Sequence, residues 1–199
     1  PVSDPVAQAL GAQVLDPEES TNYSLGAVFN IGDVSLTIDA YRIDIDNRIV
    51  LSENLTAANV RAFLESRGFT GIGGGRFFIN GVDTDTQGVD VVLNWPVETE
   101  GFGSFNFTLL GNYNETEVRR VPTTAPLSTL NPPPVLFGRV NVLTFEKGTP
   151  KDKFGAIVDW SQDRFGATFR ATRYGETLTP GTTAATDFIA SPEVLLDLE

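Results

Sequence analysis

Apolar and polar residues alternate with a period of two along six stretches of the chain. In residues 89–95, Val89, Val91, Leu93 and Trp95 fall on one parity, with Asp90, Val92 and Asn94 on the other. In residues 104–109, Phe105, Phe107 and Leu109 alternate with Ser104, Asn106 and Thr108. Successive side chains of a strand point to opposite faces, so each stretch predicts a strand with one apolar and one wet side.

The predicted strands cover residues 23–31, 34–41, 77–95 with apolar alternation from Val89 to Trp95, 102–113, 154–160 and 165–174, and residues 194–198 begin a seventh. Beyond Ala40 the outward set turns polar, as Arg42, Asp44 and Asp46, and a polar extension likewise carries the fourth strand to Arg120. The connections fall into two kinds. Gly32 and Asp33 form a two-residue hairpin turn, and residues 96–101 and 161–164 are also short. Residues 48–76, 121–152 and 175–193 are long. The first long connection predicts a helix over 56–66, stopped at Gly68 and followed by a flexible Gly-rich run, Gly71 to Gly75. Residues 1–20 read as loop, with a helical turn within 6–15.

Short and long connections alternate strictly, as they do in an antiparallel up-and-down meander. Tight turns on one rim and long loops on the other are the habit of a transmembrane β-barrel. Trp95 and Trp160 stand beside short turns, where an interfacial aromatic belt would place them. Each apolar stretch approximates the ~9–11 residues of a tilted membrane-crossing strand. A soluble β-sandwich, such as a carbohydrate-binding module, also needs one apolar face, so alternation alone leaves it open.

Composition narrows the chemistry. Across 199 residues, 14 Lys and Arg stand against 26 Asp and Glu, a net charge of −12 that disfavours nucleic-acid binding. Without Cys or His there is no disulfide, no thiolate nucleophile and no His general base. No run approaches the ~20 apolar residues of a membrane-spanning helix. No signal peptide is legible, and the chain reads as an interior piece of a longer protein.

The local motifs are weak. Asp83, Asp85, Gln87 and Gly88 resemble the start of an EF-hand loop, but Asn94 stands where the bidentate carboxylate belongs, and no helices flank it. The Gly71–Gly75 run lacks the third glycine and the strand–helix setting of a dinucleotide fingerprint. Asp44 and Asp46 fit a solvated strand end better than a cation site. Asp39 and Asp90 could serve as a glycosidase pair only across a cleft, which their spacing does not support. No catalytic, cofactor or metal residue is assigned.

Three strings are more specific. Leu15-Asp16-Pro17-Glu18-Glu19-Ser20-Thr21-Asn22-Tyr23-Ser24-Leu25-Gly26 resembles a strand of TonB-dependent outer-membrane receptors. Thr37-Ile38-Asp39-Ala40-Tyr41-Arg42-Ile43-Asp44-Ile45-Asp46-Asn47-Arg48-Ile49 and the segment from Phe77 through Gly88-Val89-Asp90 resemble two more, in family order. Arg173-Tyr174-Gly175-Glu176 and Leu195-Leu196-Asp197-Leu198 are similar more faintly.

The resemblance implies an all-β chain, with residues 1–199 one part of a receptor barrel in the outer membrane of a Gram-negative bacterium. It implies a transporter rather than an enzyme, importing an iron-siderophore, cobalamin, haem or sugar with energy passed from TonB through a plug this stretch does not contain. Lipid would meet the apolar faces. Asp39, Asp90, Asn94, Asn106, Thr168 and Arg170 would line the lumen, and the three long loops would capture ligand outside the cell. Seven strands fall short of the eight in the smallest membrane barrels. The isolated piece is therefore expected to self-associate through open edges or apolar faces.

Overall fold

The computed structural model describes residues 1–199. One antiparallel seven-stranded sheet contains β1 (Glu19–Ile31), β2 (Val34–Leu51), β3 (Phe78–Thr99), β4 (Gly103–Arg120), β5 (Asp152–Gln162), β6 (Phe165–Tyr174) and β9 (Glu193–Leu198). These strands pair in sequence order, with β1 and β9 as the two ends of an open sheet. A small hairpin, β7 (Thr177–Thr179) and β8 (Phe188–Ala190), occupies the connection between β6 and β9.

The long connections are more structured than their composition announces. The predicted helix is present as α2 (Ala58–Ser66), and α1 (Pro5–Ala9) precedes the sheet. The connection from β4 to β5 holds two further helices, α3 (Ala125–Ser128) and α4 (Arg139–Lys147). Pro126 stands in the first turn of α3, where its missing N–H leaves no bond unmade. The β3–β4 turn is shorter than expected because β3 runs on through Pro96 to Thr99. No helix is long and apolar enough to cross a membrane, which says nothing of crossing by strands.

Contacts divide the chain into two compact units. The first contains residues 1–21, 44–85 and 117–142, the second residues 22–43, 86–116 and 143–199. Every buried apolar residue belongs to the first. Leu10, Leu55, Val60, Leu64, Phe77, Leu127 and Leu136 form its centre, so α1, α2 and α3 close over the start of β3 as a small conventional core. Val60 and Leu64 lie four apart on α2 and place one helical stripe in that core.

The second unit contains all three short hairpins and no buried apolar side chain. Its register is explicit on the β4–β5–β6–β9 side. Phe107 faces Val158, Val158 faces Phe169, and Phe169 faces Leu198. Residues opposed across a ladder share a face, so these four form one apolar row. Trp95 joins it, with its ring 5.6 Å from that of Phe107, and Leu36 and Leu93 line the same apolar surface. The β3–β4 and β5–β6 turns lie side by side, since Trp160 Nε1 donates to Phe102 O and Gln162 Nε2 to Gly101 O.

Two glycines make room on the opposite face. A Cβ at Gly88 would lie 2.4 Å from the Tyr41 ring and 2.8 Å from Tyr113 O; at Gly26 it would lie 2.1 Å from an Asp39 carboxylate oxygen. Gly88→Val should therefore destabilise the sheet by roughly 1–3 kcal/mol through overpacking. Gly111→Val, whose Cβ would meet Phe154 at 3.7 Å and Val91 at 3.9 Å, should change stability by about 0.5 kcal/mol or less. Thermal unfolding in detergent checks both; equal losses would contradict the packing described.

Candidate functional site

Two surfaces can meet a ligand: the polar face of the second unit's sheet and the loop assembly of the first unit. On the sheet, Asn106, Asp159 and Thr168 stand in one register row, and Thr168 Oγ1 donates to Asp159 Oδ1 at 2.7 Å. In the next row Arg170 lies between Ile157 and Asp197. Asn112 Nδ2 donates to Asp90 Oδ1 at 2.6 Å, Asn114 Nδ2 donates to Asn112, and Thr86 and Thr116 share a hydroxyl hydrogen bond. Asn94 alternates in step with Asp90, and Asp39 lies over Gly26. All six residues singled out in the sequence therefore occupy the face opposite the Phe107–Val158–Phe169 row. They spread along it as a polar lining and do not converge on one point. The lining is not wholly polar, since Val92 and Leu110 share its parity and remain partly exposed.

The loop assembly is built differently. Short hydrogen-bonded tethers lock its segments to the extended strands. Asn80 Nδ2 donates to Asn47 O at 2.7 Å and to Asp16 O at 2.9 Å, and Asn80 Oδ1 accepts from Asp16 N at 2.8 Å. Glu18 accepts from Ile49 N, and Thr124 Oγ1 donates to Leu10 O. Glu53 receives Gly138 N and Asn141 Nδ2, which joins the first and second long connections. The Gly-rich run is not free along its length. Gly75 pairs with Leu55 as an isolated bridge, and a Cβ at Gly74 would lie 2.2 Å from Leu55 O.

At the centre of the assembly lies a clamp that sequence patterning missed. Arg120 donates through Nε to Asp83 Oδ2 at 2.5 Å, and through Nη2 to Asp83 Oδ1 at 2.8 Å and Asn47 Oδ1 at 2.9 Å. Asn47 adopts φ 55°, a conformation Asn tolerates better than most residues, and its N–H donates to the same carboxylate at 2.9 Å. Arg119 bridges Asp44 and Asp85. The acidic pairs that resemble cation sites in the sequence are thus engaged by arginines from β4. Their partners are distant in sequence, and no local spacing could have revealed them.

With this geometry in view, likeness to known proteins decides the family. The model of the family described as TonB dependent receptor-like, beta-barrel matches residues 2–199. The chain belongs to that family. Among solved structures it resembles the FrpB iron transporter from Neisseria meningitidis, with a TM-score of 0.58 and 10% identity over 94% of this chain and 24% of that one. It also resembles a ferric enterobactin receptor from Pseudomonas aeruginosa, with a TM-score of 0.56 and 15% identity over 92% of this chain and 23% of the other. The siderophore receptor PirA from Acinetobacter baumannii gives 0.54 and 17% over 92% and 25%. At such identities the likeness concerns the fold. The chain spans about a quarter of the length of these structures. No curated protein matches the chain. As a member of this receptor family, the chain presents its polar lining and its loop assembly on an outer-membrane-type β-barrel fold.

The clamp carries a pH signature. Hydrogen bonding from the Arg120 guanidinium holds the Asp83 carboxyl below its usual range against a smaller opposing effect of partial burial, and Asn47 N–H and the Arg119 charge add to the lowering. A lowered carboxyl pKa stabilises the folded loops above the ordinary Asp range and loses that contribution as pH falls through the lowered value. Hydrogen exchange at residues 44–50, 80–85 and 117–120 should stay slow near neutrality and accelerate as pH drops from about 5 to below about 3, after correction for intrinsic rates. Asp83→Asn should show the faster exchange already at neutral pH. A variant with unchanged protection would refute the clamp.

Proposed function

We propose that this chain forms part of the wall and the ligand-capturing loops of an outer-membrane receptor that imports a scarce ligand with energy delivered through TonB. Family membership supports the receptor reading, and the absence of any buried apolar side chain from the second unit supports the membrane. A soluble sandwich would cover that face with a second sheet. Here Leu25, Phe29, Ile31, Phe102, Phe165 and Leu198 are each at least 49% exposed. Lipid is the partner that such a face fits, and the outer membrane of a Gram-negative bacterium is the corresponding location. The function is transport, with no catalytic role for Asp39 or Asp90.

The solved structures named above are described as iron, ferric enterobactin and siderophore proteins, so a ferric siderophore is the ligand class to test first. In this reading the polar lining around Asp90, Asn106, Thr168 and Arg170 faces the lumen, and the loop assembly is the outer rim. The small core under α1 and α2 then holds capture residues in place before ligand arrives, which reduces the ordering cost of binding.

The test uses the intact receptor containing this chain, purified in detergent and offered ferric siderophores, haem, cobalamin and oligosaccharides in parallel. One class should bind. Phe77→Ala, which removes a side chain 1% exposed at the loop core, should cost the assembly about 3–5 kcal/mol and weaken that binding at least tenfold while the barrel stays folded. Binding of no class, or undiminished binding by a variant whose loops have lost hydrogen-exchange protection, would count against this assignment.

A further inference from the structure

Asn80 is the only asparagine of the chain that glycine follows. The side-chain carbonyl carbon of an asparagine is open to attack by the next backbone nitrogen, and a Cβ on that next residue hinders the approach. Gly81 has none, so Asn80–Gly81 is the position where the chain's own chemistry favours a covalent change. The structure places the pair where that change matters. Asn80 Nδ2 donates to Asn47 O at 2.7 Å and to Asp16 O at 2.9 Å, while Asn80 Oδ1 accepts from Asp16 N at 2.8 Å. Both amide hydrogens and the amide oxygen are thus engaged. One side chain joins the segment before β1, the left-handed residue of β2 and the start of β3.

The same contacts keep the reaction from running. Ring closure needs the Gly81 nitrogen to approach Asn80 Cγ. Asn80 lies in β3, and extended backbone carries that nitrogen away from the side chain. The amide must also release its partners before it can turn. Gly81 adds a further hold, with φ 131° and a position where a Cβ would lie 3.1 Å from Pro122. Water is at hand once the segment opens. Asn80, Gln13, Asp16 and Thr123 line one cavity of about 360 Å³, and the last three are exposed.

We propose that Asn80–Gly81 is a self-modification site gated by opening of the loop assembly. When the assembly opens, Gly81 N loses its proton and bonds to Asn80 Cγ, and the Cγ–Nδ2 bond breaks. Nδ2 takes up a proton and leaves as ammonia, and a succinimide joins the two residues. Water then splits either of the two imide carbon–nitrogen bonds. One cleavage gives aspartate at position 80, and the other gives an isoaspartyl linkage that lengthens the backbone. Either product puts acceptor-only oxygens where Nδ2 donated to Asn47 O and Asp16 O. It also adds a carboxylate beside Asn47, whose N–H already holds Asp83. The brace cannot re-form, so each opening that reacts is permanent. Nothing in this step depends on the membrane or on the transported ligand.

The test is peptide mapping by mass spectrometry of the intact receptor held in detergent at mildly alkaline pH, with isoaspartyl content measured alongside. The folded wild type, the wild type denatured in guanidinium chloride and Phe77→Ala are followed together. In the denatured protein, position 80 should convert before every other asparagine. The folded wild type should convert there roughly tenfold or more slowly, because the reaction draws on the open population. Phe77→Ala, which weakens the loop core, should convert faster than the folded wild type. Asn80→Asp, which installs one product directly, should lose hydrogen-exchange protection at Asp16 and residues 44–50 while residues 103–113 stay protected. Equal rates in folded and denatured protein, earlier conversion of another asparagine, no acceleration by Phe77→Ala, or unchanged protection in Asn80→Asp would overturn the proposal.

Discussion

Backbone hydrogen bonding without apolar burial is the constraint on which the second unit depends. Its strands satisfy one another's N–H and C=O groups along the ladders, yet Phe169 and Leu198 stay exposed and Phe107 and Val158 are only half-buried. In water, such a sheet lacks the burial that stabilises ordinary domains, about 25 cal/mol per Å² of apolar surface. In a bilayer the apolar face needs no protein cover, and inter-strand bonding becomes the requirement instead, because an unpaired backbone group in hydrocarbon costs several kcal/mol. In the proposed bilayer setting, the paired meander and the bare apolar face are two consequences of one solvent. In that setting the polar lining would follow as well, since a face turned from lipid must be wetted or hydrogen-bonded, as Asp90–Asn112 and Asp159–Thr168 are.

The first unit obeys the opposite rule. Its strands have left the apolar zone, their outward positions carry Asp44, Asp85 and Arg119, and stability comes from a small water-type core around Phe77 and Leu64. Residues before β1 contribute Ala7, Leu10 and Ala12 to that core, so loops separated by more than a hundred positions close over one another. The Asp83–Arg120–Asn47 clamp fixes where strand geometry hands over to loop geometry. In one chain, two ways of folding thus stand side by side, a buried water-type core and a sheet with a bare apolar face.

Much of the sheet was legible because a period of two is a strong and repeated signal. The strand 165–174 has the expected limits, and the parity that groups Phe107, Val158 and Phe169 is the observed register. The start of β3 and the polar run of β4 to Arg120 were legible too, but the full continuations of β2 to Leu51 and of β3 through Pro96 to Thr99 were not, since alternation of apolar with polar fades once both faces are wet. Helices α3 and α4 were not legible. α3 is a single turn opened by Pro126, while α4 mixes helix formers such as Leu143 and Glu146 with Val140, Asn141, Val142 and Thr144, which blur its periodicity. The arginine clamps were invisible because they join positions 34 or more residues apart. The six polar candidates were found by parity alone, which gives a face and not a binding geometry.

The central claim is that lipid covers the Phe107–Val158–Phe169 face while water meets its reverse. A chain without cysteine allows a direct measurement. Single cysteines placed at positions 105 to 109 and 156 to 160 of the intact protein in lipid bilayers can carry nitroxide labels. Their relaxation by oxygen, which concentrates in lipid, is then compared with relaxation by a water-soluble nickel complex. The account predicts strict alternation: labels at 107 and 158 respond to oxygen, and labels at 106 and 159 to nickel, in step across the β4–β5 register. Nickel accessibility on both parities, or alternation in the opposite phase, would contradict it.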